Sequence, residues 1–181
     1  MIIAKRLKKE NIAEYILYMW QLEDVLRSVS FDMDIIEEKI ISSYDVSDSQ
    51  KNDIREWYKT FVDGMIAEKV TEQGHLLHIS SLIQDLSDLN IKLLQQPNEL
   101  KYNELFNEAI PNISEIANRS GGQVKNEIEA CFVGLYGMML MKMKKQQISE
   151  STQIAMKSFS NLLAILSNKY HKFEDGDLVF E

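Results

Sequence analysis

The chain has 181 residues and a formal net charge of −8, from 28 acidic against 20 basic residues. That length suits one domain with a sizeable core, and the acidic balance argues against a dedicated DNA or RNA binder, which presents a net basic face. No apolar stretch approaches the roughly 18 residues that a membrane span needs.

The chain contains only two prolines, Pro97 and Pro111, and apolar residues recur at three- and four-residue spacing almost throughout. This pattern predicts an all-α fold: a single-domain bundle of six to seven helices over residues 1–170, mostly antiparallel, followed by an acidic, mobile tail at 171–181. The first helix is expected from about Leu7 to Ser28 and is apolar on more than one face. Such a helix is central in a bundle or lies at a subunit contact. A short helix from about Asp34 to Ser43 follows, capped by Asp32 or Asp34. Ser47 and Gln50 have capping-box spacing and open a third helix, whose row Ile54, Trp57, Tyr58, Phe61, Val62, Met65 and Ile66 faces the core. Gly74 marks its stop. A fourth helix runs from about His75 to Gln95 and ends at Pro97.

Asn98 is read as the cap of a fifth helix reaching about Ala109, and Pro111–Asn112 as a break before a short new helix. The sixth principal helix, from Val124 to about Gln147, holds twelve consecutive uncharged residues from Ala130 to Met141. With the first helix it is expected to be the most buried. Ala130, Gly134 and Gly137 put small residues near one of its faces, where another helix could approach closely. Each glycine there costs about 1 kcal/mol of helix propensity against alanine, so packing must offset it. The last helix runs from about Ser149 to Tyr170.

Few residues suggest chemistry. Tyr15, Tyr18, Trp20, Trp57 and Tyr58 concentrate aromatic surface on two helices, and with Glu14 or Asp24 as a polar anchor they form a candidate ligand pocket; the competing reading is that they are simply core. Glu72 and His75 have the Glu-x-x-His spacing of half a di-iron motif. No second pair exists, and Gly74 sits inside the motif, so a solvated helix end is the competing reading. Ser120–Gly121–Gly122–Gln123 precedes a helix but lacks the Gly-Lys-Ser/Thr ending of a phosphate loop. Cys131 lies in an apolar run, as an inert small hydrophobe does, and as a single cysteine it forms no internal disulfide. The lysines at 5, 8 and 9 with Arg6, and those at 142, 144 and 145, form two local basic patches. The basic start passes directly into Glu10, Asn11 and Glu14 where a signal peptide would be apolar. These features together point to the cytoplasm.

The opening stretch MIIAKRLKKENIAEYILYMWQLED resembles an uncharacterised family of bacterial proteins of about this length, grouped as a domain of unknown function. The resemblance covers the whole chain and is strongest over residues 1–24. It implies a bacterial cytoplasmic protein with an undivided domain, and it carries no activity, cofactor or catalytic residue. The expected function is therefore that of a non-enzymatic interaction protein that self-associates as a homodimer, with no cofactor, nucleic acid or membrane partner. A small-molecule binder using the aromatic pocket is the alternative, and a metal-dependent enzyme using Glu72 and His75 the remote one.

Overall fold

The structure, a computed structural model, describes residues 2–180. Met1 and Glu181, the last residue of the expected tail, lie outside the described residues. The helices are α1 (Ile2–Glu10), α2 (Ile12–Ser28), α3 (Met33–Lys39), α4 (Asp48–Ala67), α5 (Leu77–Leu94), α6 (Leu100–Arg119), α7 (Glu127–Met143) and α8 (Glu150–Glu174), with a 3-10 turn at Ile41–Ser43. The described residues include no strand. The fold is all-α as expected, but with eight α-helices among the described residues instead of six or seven.

Two local effects account for the different count. The expected first helix is divided at Asn11, whose Oδ1 accepts the Ala13 N–H at 3.1 Å. An asparagine that satisfies a backbone donor in this way starts a helix more readily than it continues one. Conversely, the two helices expected on either side of Pro111 are one, α6. Pro111 lies on the exposed face, while Tyr102, Leu105, Ala109 and Ile113 form an unbroken buried stripe beneath it. Burial of that stripe outweighs the one backbone bond that proline cannot make. Glu99, not Asn98, precedes α6, and its side chain makes no capping bond.

Other boundaries follow their caps. Asp32 accepts from the N–H groups of Asp34 and Ile35 at the start of α3, and Ser47 with Gln50 forms the full capping box of α4. Asn126 and Ser149 cap α7 and α8. Between these two helices Lys145 adopts a positive φ of 54°, and the Gln146 N–H bonds back to the Met141 carbonyl at 2.9 Å. A left-handed residue closing the last turn in this way ends a helix without glycine. α8 runs on through His171 to Glu174, so the expected tail begins later than residue 171.

The chain falls into two compact units, one of residues 2–10 and 14–81, the other of residues 11–13 and 82–180. The core of the first includes Ile16, Met19, Leu26, Ile36, Met65 and Ile79, all without exposed surface. In the second, α6, α7 and α8 pack on one another around Phe132, Phe159, Leu162 and Leu166. Three polar contacts of this unit stand out: the buried Tyr102 hydroxyl donates to Asn90 Oδ1 at 2.6 Å, Ser167 Oγ accepts the Ala13 N–H at 3.3 Å, and the partly buried Lys169 pairs with Glu99. The two central helices expected from the sequence fare differently. α2 buries Ile16, Met19 and Leu26 fully, whereas α7 is buried only over its first half.

Candidate functional site

In the first unit the most polar feature of the interior grows from α2. Residues Ile16, Met19, Glu23 and Leu26 share one helix face by their spacing, so Glu23 occupies a core position and has no exposed surface. A carboxylate there is tolerable only if its oxygens are matched. Oε1 accepts the Leu76 N–H at 2.9 Å, and Oε2 lies 2.5 Å from His75 Nδ1. The His75 ring stacks flat on Trp20, with centroids 4.2 Å apart and planes 7° from parallel. One turn later, Arg27 donates to the Val70 carbonyl at 3.0 Å and to that of Gly74, and it pairs with Asp24 at 2.9 Å. Glu68 accepts the Leu77 N–H at 2.6 Å. The connection from α4 to α5 is thus held by one acid and one base of α2, and the first N–H groups of α5 are capped by carboxylates.

The dyad orients His75. Its side chain keeps 29% of its surface exposed while that of Glu23 keeps none, and Nε2 makes no hydrogen bond to a described residue. A carboxylate on Nδ1 leaves Nε2 as the nitrogen turned to other partners. His78, beside Phe61 at 6.0 Å between centroids, has its pKa lowered mainly by partial burial and further by Lys8, with Glu68 and Glu23 opposing.

The residues singled out from the sequence are distributed as follows. Trp20 stacks on His75, while Tyr15 is buried with Lys8 Nζ 5.8 Å from its ring centre. Tyr58 is buried and hydrogen-bonded to Tyr44; burial, chiefly, and then Tyr44 push its phenol well above the ordinary range. Trp57 is half-buried beside Tyr58 and Phe61. A cavity of about 450 Å³ in this unit has other walls: Ile3, Lys5, Tyr44, Val46, Asp53 and Ile54. Tyr44, through its hydrogen bond to Tyr58, connects it to the predicted aromatics. Glu72 is exposed in the connection before α5, not on a helix, so Glu72 and His75 do not share a helix face. Among the described residues no group of three or more His, Cys, Asp or Glu side chains is placed to hold a metal ion. Glu23 was not among the predicted site residues. The signal that could have found it is its register, an acid at a core position of an otherwise apolar stripe.

In the second unit α7 changes character along its length. Ala130, Cys131, Phe132 and Gly134 are buried, and burial, followed by Glu127, pushes the Cys131 thiol far up. A Cβ at Gly134 would lie 2.7 Å from the Phe159 ring and 3.2 Å from Met156 Cε, so this glycine is where α8 comes close. From Leu135 to Met141 every residue is only partly buried, although all are uncharged, and Val133 and Met143 are 38% and 59% exposed. A Cβ at Gly137 would meet nothing within 4 Å.

Among the described residues no helix is long and apolar enough to cross a membrane. No curated protein and no solved structure matches the chain. A family profile, described as a domain of unknown function (DUF4924), matches residues 1–177. With nearly the whole chain matched, from the basic start through α8, the protein belongs to the DUF4924 family.

Proposed function

We propose that the protein is a non-enzymatic helical interaction protein of the bacterial cytoplasm that self-associates as a homodimer through the second half of α7. The observation that carries this reading is the stretch Leu135–Met141, which is apolar on all sides yet only partly covered. A partly exposed apolar segment of this kind suits a protein–protein contact. Met138, Met139 and Met141 suit it, because unbranched thioether side chains adapt to a facing surface. The test is the mass in solution of the untagged protein by native mass spectrometry and light scattering. A species of twice the 21.0 kDa chain, converted to monomer by Leu140→Glu with helicity unchanged, supports the reading. A monomer at ~100 μM overturns it.

A second reading is small-molecule binding in the first unit, favoured by the cavity of about 450 Å³ beside Tyr44, a volume usual for ligand sites. Mass from a co-purifying organic molecule in the same spectra, lost on Ile54→Trp, would support it.

A further inference from the structure

We propose that the second copy docks antiparallel across α7, with the two-fold axis passing beside Gly137. This rests on the self-association proposed above and specifies its geometry. A glycine inside a helix weakens it, and the two glycines of α7 differ in what offsets that. At Gly134 the missing Cβ makes room for Phe159 of the same chain; at Gly137 no described neighbour stands within 4 Å of the corresponding position. A side chain missing from a part-exposed apolar helix face permits close approach of another backbone.

The row containing Gly137 supplies the orientation. Glu129, Val133, Gly137, Leu140 and Lys144 follow one another at four-, four-, three- and four-residue spacing, along one face, and each except Glu129, Gly137 and Leu140, which are partly exposed, is exposed. The row has an acid at its start, a glycine at its middle and a base at its end. Reversed upon itself about Gly137, it sets Val133 against Leu140 and Met141 of the second copy, and Glu129 against Lys144 and Lys145. A parallel pair would instead bring the Lys142, Lys144 and Lys145 clusters of both copies together and align the two helix dipoles. Charge complementarity within a single surface, used twice, is what a closed two-fold interface requires.

The experiment is a spin–spin distance on full-length Lys144→Cys protein, labelled with Cys131 left in place because its thiol has no exposed surface. It is accompanied by the mass of Gly137→Leu, a side chain placed where no described neighbour stands within 4 Å. Antiparallel docking about Gly137 separates the two labelled positions by about 20 Å along the axis, seven residues on each side at 1.5 Å; parallel docking leaves them about 10 Å apart. A dimer with the long distance, lost in Gly137→Leu while helicity is kept, is the expected result. A dimer with the short distance, or one that survives Gly137→Leu, overturns this geometry and leaves self-association standing. A monomer at every concentration removes both.

Discussion

Glu23 commits both carboxylate oxygens without exposing either, one to the Leu76 N–H and one to His75. Its removal strands a backbone donor at the start of α5 and leaves the His75 ring without its partner. Stranding a buried donor and breaking a buried pair together cost about 2–4 kcal/mol. We expect Glu23→Ala to lower the urea-unfolding free energy by that much and Glu23→Gln by less, since an amide still offers an oxygen. A loss under ~0.5 kcal/mol for the alanine variant would mean that Arg27 and Glu68 hold the α4–α5 connection without Glu23. Gly134 is set by space instead of charge. Gly134→Ala gains about 1 kcal/mol of helix propensity but drives a Cβ into the Phe159 ring, and overpacking of a filled core costs about 1–3 kcal/mol. The net expectation is a loss of up to about 2 kcal/mol. Gly137→Ala, measured below the dimerisation concentration, should gain about 0.5–1 kcal/mol, because the propensity term stands there unopposed. Equal effects at the two positions would contradict the packing of α7 on α8.

α6 has Pro111 twelve residues into a twenty-residue helix, on its exposed face. Alanine there restores a backbone donor and removes the clash of the proline ring with the preceding turn, worth up to about 3 kcal/mol, less about 0.5–1 kcal/mol for the freer unfolded chain. Pro111→Ala should therefore raise stability by about 1–2 kcal/mol, seen as a higher urea midpoint with an unchanged slope. A destabilised variant would show that the proline shapes a bend on which α6 packs. The same element shows how far the sequence could be read. Helical class, the Ser47–Gln50 box and the apolar stripe of α4 were legible because they are local patterns. The break at Asn11 and the continuity through Pro111 were not, because each was decided by competition. A side-chain cap beat an unbroken apolar pattern at Asn11, and a buried stripe beat a helix breaker at Pro111. The candidate site was less legible still: His75 was noticed for its spacing from Glu72, whereas the residue that holds it is Glu23, 52 positions earlier in the chain. Pairings at that separation leave only a faint mark, here an acid in a core register.

Tyrosines tie the stability of both units to pH in the same sense. In the first unit burial, then Tyr44, pushes Tyr18 up to about 12 and Tyr58 further. In the second, burial with Glu174 and Asp85 pushes Tyr170 up to about 12, and burial with Cys131 and Glu99 pushes Tyr102 further. Each is an acid whose native pKa lies above the unfolded value of 10.0. Below pH 10 the phenols are neutral in both states and their contribution to stability is whole. From about pH 10 upward the unfolded chain releases protons that the folded chain retains, so stability falls as pH rises through 12. Urea midpoints should accordingly be level up to pH 9 and decline between pH 10 and 12. Tyrosinate absorbance at ~295 nm should lag behind that of free tyrosine until helicity is lost. Tyr102→Phe separates this effect from general charge repulsion. It forfeits the hydrogen bond to Asn90 and about 1 kcal/mol at neutral pH, but its midpoint should decline less steeply above pH 10 than that of the parent. Parallel declines in the two proteins would assign alkaline unfolding to net charge and not to the buried phenols.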